Sequence, residues 1–129
     1  MKFVDTNYFV RFLVNGETEQ GKLVKKLFEE GASKRAELSS SSVVFFEIYW
    51  LMKSIYGKKK DGLFAILRDI LAMSFIKWES GKILTEAVEL MKKTNYDLED
   101  AYNLIYAKSV GSDELASFDS KLQKAWKKY

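Results

Sequence analysis

Short apolar runs alternate along this chain with longer amphipathic stretches, and the first of the short runs stops abruptly. Phe3-Val4 leads straight into Asp5-Thr6-Asn7, with another apolar run directly behind it. Strands separated by helices pair in parallel through right-handed crossovers. Ligands in open sheets of that kind sit beyond the carboxyl ends of the strands. A buried strand that ends in a carboxylate therefore delivers an acid to a site, and Asp5 is placed to be that acid.

The pattern predicts a strand over residues 2–5 and a short helix over 8–13, broken at Asn15-Gly16. Thr18 is placed as the N-cap of a helix whose stripe is Leu23, Val24, Leu27 and Phe28, with Gly31 as its end. A second strand is expected over 37–40, then a strongly apolar helix over 42–56 ended by Gly57. A helix follows over 60–72, then a third strand over 74–78 and an amphipathic helix over 81–94. Asp97 caps a helix over 98–110, which Gly111 closes. A fourth strand over 114–118 and a last helix over 120–128 complete the chain. The expected architecture is an α/β sandwich with a parallel sheet of four to five strands. A length of 129 residues fits one domain, 1–129, around one core.

Composition narrows the chemistry. There is no cysteine, which excludes disulfides, thiolate zinc sites and cysteine nucleophiles. There is no histidine, which removes the usual general base, the serine triad and imidazole ligation. Hydrolytic chemistry must then run on carboxylates, lysines, hydroxyls or a hard metal. The net charge of +3 is mild and does not by itself imply nucleic acid. The basic residues cluster, at Lys58-Lys59-Lys60 and at Lys124, Lys127 and Lys128. The chain opens on a strand with no leader-like segment, and no apolar run reaches spanning length. A cytoplasmic protein with no membrane partner is expected.

Four acids stand out, each with an ordinary alternative. Glu47 lies in Val43-Val44-Phe45-Phe46-Glu47-Ile48-Tyr49-Trp50, where apolar residues occupy every helical face. It is expected to share its face with buried neighbours, where an unpaired carboxylate costs several kcal/mol or takes up a proton. Snorkelling, or pairing with a lysine, is its structural alternative. Asp5 and Asp119 can each cap the helix that follows, and Asp100 can be a first-turn acid behind the Asp97 cap. Taken together, the four can converge at the carboxyl edge of the sheet. Such a cluster is tolerable when a divalent cation neutralises it. Oxygen-only ligands select Mg²⁺ or Mn²⁺ over zinc.

The segments FVDTN, SSSVVFFE, DLEDAYNLIYA and ASFDSKL, in that order, resemble a PIN-domain nuclease. The size and element order are similar to those of a VapC-type toxin of a toxin–antitoxin pair. The resemblance implies a PIN-like three-layer sandwich, a central parallel sheet flanked by helices. It implies Asp5, Glu47, Asp100 and Asp119 as catalytic, metal-holding acids, with Thr6, Asn7, Asp97 and Ser117 supporting them. Leu122 stands where the family often has phenylalanine, and no arginine stands out beside the acids. Lys53, Lys108 or backbone amides would then orient the substrate.

The activity implied is Mg²⁺- or Mn²⁺-dependent cleavage of RNA, leaving 5′-phosphate and 3′-hydroxyl ends. Lysines at 58–60 could attract the strand, or form a solvated loop. Tyr8, Phe9, Phe12, Phe45, Phe46, Tyr49 and Trp50 exceed what one small core needs. The surplus suits a homodimer face and a groove for a cognate antitoxin's helix. A haloacid-dehalogenase-like phosphatase would need a second aspartate where Asn7 stands. A receiver domain would need an early acidic pair that is not evident. From another class, a catalytically silent PIN-like interaction module remains as the alternative.

Overall fold

The computed structural model describes residues 1–14 and 16–129. The expected helix break at Asn15-Gly16 therefore lies partly outside the described residues. The chain divides into two compact units, Met1–Gly81 and Lys82–Tyr129.

The first unit holds a parallel sheet in the order β1 (Lys2–Phe3), β2 (Leu38–Ser40), β3 (Ile76–Trp78). The register sets Lys2 beside Leu38, and Ser40 beside Trp78. Helices flank this sheet in sequence: α1 (Thr6–Val14), α2 (Glu19–Ala32), α3 (Ser42–Ser54) and α4 (Lys60–Ala72). Helix α1 packs against α2 and α3, and α3 against α4. The Thr18 hydroxyl accepts from the Gly21 amide at 3.0 Å and caps α2 as expected. Ser41 does the same for α3, accepting from Val44 N at 3.2 Å.

The core of this unit is aromatic. The Phe9 ring lies 5.2 Å from Trp78 and 5.7 Å from Phe28, and Phe45 meets Trp78 edge-on at 5.3 Å. Val4, Leu38, Ile48, Met52, Leu67 and Ile70 fill the space around them. Of the seven surplus aromatics, Phe9, Phe45 and Tyr49 are core residues, whereas Tyr8 and Trp50 are exposed.

Gly31 does not terminate α2. The helix continues to Ala32, and Ser33 caps it. A Cβ at position 31 would lie 2.8 Å from Leu38 Cδ1 and 2.9 Å from Phe75 Cδ2. A side chain there would crowd Leu38 in β2 and Phe75 just before β3, so the glycine answers to those neighbours and not to the need for a stop.

The second unit contains α5 (Gly81–Lys93, entering from Gly81), α6 (Leu98–Ser109) and α7 (Ser120–Lys128). Its core is Leu84, Ala87, Val88, Leu90, Met91, Leu98, Ala101, Leu104 and Ala125. Gly111 adopts φ 78°, and its amide donates to Lys108 O at 3.1 Å, closing α6 as expected.

The sheet corrects one expectation. Among the described residues it has three strands rather than four to five. Residues 114–118 are irregular. Gln123 Nε2 donates to Leu115 O at 2.7 Å and to Ser117 O at 2.9 Å, so these carbonyls are satisfied by a side chain. Phe118, which a strand pattern would bury or half-bury, is fully exposed.

Candidate functional site

Parallel pairing brings the carboxyl ends of β1, β2 and β3 to one edge, and the backbone there is tightly cross-linked. Val4 N donates to Ser39 O at 2.8 Å, and the buried Ser40 hydroxyl donates to Val4 O at 2.7 Å. Glu79 N donates to Ser40 O at 3.0 Å. Asp5 is the first residue beyond β1 at this edge, and it is exposed. Its carbonyl accepts from Tyr8 N at 3.2 Å as α1 begins. Thr6 behind it is buried, and its Oγ1 has no hydrogen-bond partner among the described residues. A buried hydroxyl in that state is a natural partner for an ordered water. Asn7 is exposed and lines a cavity of about 350 Å³ with Tyr8, Arg11, Gln20, Leu23 and Val24.

Glu47 is exposed. The expectation that it shares its face with buried neighbours is thereby corrected. Helix α3 is apolar on every side, but the side bearing Glu47 is left to solvent. Val43 four residues before it is 67% exposed, and Trp50 three residues after it is 56% exposed. Among the described residues neither Asp5 nor Glu47 forms an ion pair. The lysine-paired alternative for Glu47 thus does not hold.

In the second unit, Asp97, Asp100 and Asp119 act on one another. Asp97 caps α6 as expected, its Oδ1 accepting from Asp100 N at 2.8 Å. Asp119 caps α7, its Oδ1 accepting from Leu122 N at 3.1 Å. Ser117 Oγ in turn accepts from Asp119 N at 3.0 Å and fixes the turn that presents this aspartate. Burial raises the pKa of Asp100 above its ordinary value, and the charges of Asp97 and Asp119 raise it further. Lys121 pulls it partly back. Of the two lysines expected to orient a substrate, Lys108 is engaged elsewhere. Its Nζ donates to Trp126 O at 3.0 Å and lies 3.8 Å from the Trp126 ring centre. Lys53 is exposed in the last turn of α3, 5.6 Å from the Tyr49 ring centre.

Two residues were missed in the sequence. Glu79 follows β3 at the same edge as Asp5, and its Oε1 accepts from Ser42 N at 3.0 Å while its carbonyl accepts from Ser42 Oγ at 3.1 Å. It thereby fastens the first turn of the helix that carries Glu47. The signal was present, since Glu79 directly follows an apolar strand just as Asp5 does. Arg11 was the other, an arginine one helical turn beyond Asn7 and lining the same cavity.

The donor chemistry suits a hard divalent cation. The acids offer oxygen alone, and the mutual repulsion that raises Asp100 is what a cation would relieve. Among the described residues no group of three or more acidic side chains is gathered tightly enough to hold an ion. None of the described helices is long and apolar enough to cross a membrane. Comparisons with curated proteins and with solved structures each give no match. Among protein families, the model of the PIN domain matches residues 2–128.

Proposed function

Because the chain belongs to the PIN-domain family, whose members are in general nucleases, we propose that it is a Mg²⁺- or Mn²⁺-dependent endoribonuclease. The observation that carries this reading is the strain on Asp100, whose pKa is pushed up by burial and by the charges of Asp97 and Asp119. Asp5, Glu47, Asp100 and Asp119 are the acids that the family resemblance assigns to the metal. When bound, the metal activates water and neutralises charge on the scissile phosphate. The chain's own part is positioning. The Asp97 cap fixes the turn bearing Asp100, Ser117 fixes Asp119, and Glu79 fixes the helix bearing Glu47. Thr6 and Asn7 complete the polar surroundings of Asp5.

The biological setting we propose is that of a VapC-type toxin, bound by a cognate antitoxin and self-associating as a homodimer. Exposed Tyr8, Val14 and Leu23 on α1 and α2 support an apolar docking surface for an antitoxin helix. A second reading, a catalytically silent PIN-like interaction module, draws on the capping roles of Asp97 and Asp119 and on the absence of a three-acid cluster among the described residues.

Cleavage of RNA by the full chain in Mn²⁺ separates the two. Asp5→Asn and Asp119→Asn are expected to lower turnover by about 10²-fold or more, with far-UV circular dichroism unchanged. Asparagine caps a helix as well as aspartate does, so the second variant removes charge without removing the cap. Products should carry 5′-phosphate and 3′-hydroxyl ends. Full turnover in both variants, or 2′,3′-cyclic ends, defeats the proposed site.

A further inference from the structure

We infer that the outward face of α3 and the loop behind it form a track for single-stranded RNA, with Trp50 as the platform on which a base stacks. The inference deepens the ribonuclease reading and rests on it. Glu47, Trp50 and Lys53 follow one another at intervals of three residues, so each is the surface neighbour of the next. Trp50 stands about 5 Å along the helix axis from Glu47. All three are exposed, and Trp50 at 56% is the most exposed tryptophan described. The chain beyond them stays at the surface from Lys53 to Asp61. That stretch carries Ile55 at 64% exposure, Tyr56 at 40%, and Lys58, Lys59 and Lys60.

An exposed indole among apolar residues usually marks a protein interface. The charges here argue otherwise. A protein surface laid over Trp50 would strip water from Glu47 on one side and Lys53 on the other, and a buried charge without a partner is costly. A single strand of RNA meets the aromatic and the basic groups of this face. Its bases have π-faces for Trp50 and Tyr56, and its phosphates take the lysines. Its backbone passes Glu47, the acid proposed to help hold the metal. Stacking at Trp50 would then set which nucleotide lies next to the scissile phosphate, making this tryptophan a positioning residue.

The test uses the full chain carrying Asp5→Asn, so that RNA is bound and not cut. The probe is a fluorescein-labelled oligoadenylate of about 12 nucleotides, followed by anisotropy. Adding Trp50→Ala should weaken binding about tenfold, and Trp50→Phe should restore most of it. Replacing Lys58 and Lys59 together with alanine should flatten the logarithmic salt dependence by about 1.4. Trp50 is exposed, and matching circular dichroism spectra and melting midpoints would show that each variant folds. Affinity within about twofold of the parent for Trp50→Ala overturns the track. So does dissociation of a self-associated form by Trp50→Ala with RNA affinity unchanged, which would make the face an interface between copies. RNA cleavage by the unsubstituted chain in Mn²⁺ is scored separately. Trp50-dependent binding without cleavage would retain the track and reject the ribonuclease. Asp5-dependent cleavage with Trp50-independent binding would do the reverse.

Discussion

The Asp100 carboxyl is destabilised by its surroundings when charged, and the sign of that effect is testable. Its folded pKa is raised by burial and by Asp97 and Asp119, so the native state binds its proton more tightly than the unfolded chain. Stability is then lost as pH rises from the unfolded value, about 3.9, through the folded one, and the deficit persists at neutral pH. Asp100→Asn should accordingly raise the melting midpoint at pH 7, and the gain should shrink as the medium is acidified. A lower midpoint at pH 7 would mean that the charged form is held by favourable partners instead. Divalent cation should reverse the order, stabilising the parent and not the variant. Asp119 offers a second contrast. Asp119→Ala removes the oxygen that accepts from Leu122 N and should cost about 0.5–2 kcal/mol in a denaturant titration. Asp119→Asn should cost only about a few tenths of a kcal/mol, although both are expected to lower turnover sharply.

Among the elements, α2 and the segment before α7 depart most from their sequence patterns. Gly31 reads as a helix stop because glycine commonly ends helices. Its actual role depends on Leu38 and Phe75, which approach from other elements. Gly31→Ala should therefore destabilise the fold by about 1–3 kcal/mol, the usual range for overpacking, despite alanine's better helix propensity. A stabilised variant would show that Leu38 and Phe75 yield freely. Residues 114–118 read as a strand because Leu115, Ala116 and Phe118 supply a short apolar run. Such a run looks alike in a strand and in a loop, and the decision fell to Gln123. Gln123→Ala leaves those two carbonyls to water and should cost about 1–2 kcal/mol. Hydrogen exchange should quicken in 114–118 while α6 stays protected. The helices were more legible. The Thr18 and Asp97 caps stand where expected, and the helices over 60–72 and 120–128 match in full.

For the molecule as a whole, the proposed metal couples catalysis to stability. A ligand that binds only the folded chain stabilises it by about 2.7 kcal/mol at a hundred times its Kd. Saturating Mn²⁺ should raise the melting midpoint of the full chain, and Asp5→Asn should abolish the rise. An unchanged midpoint in the parent would favour the silent interaction module. The two compact units each carry part of the proposed acid set, Asp5 and Glu47 in one, Asp100 and Asp119 in the other. Asp119→Asn is expected to weaken the Mn²⁺ response as well, and an unchanged response in that variant would remove Asp119 from the proposed ligands.

Local order was written in the chain itself. The succession of helices and short strands and the caps follow from periodicity and from side chains acting within a few residues of their own backbone, and strands separated by helices pair in parallel. The acids at element ends were visible for the same reason. Which side of α3 meets water, why α2 needs a glycine at 31, and whether 114–118 joins a sheet were decided only in three dimensions. Each depends on groups far away in the chain that cover a face, approach a backbone or satisfy a carbonyl. Glu47 shows the difference most clearly. A helix apolar all round reads as burying its one acid, yet packing covers only some of its faces, and the face left open is the one that carries the carboxylate.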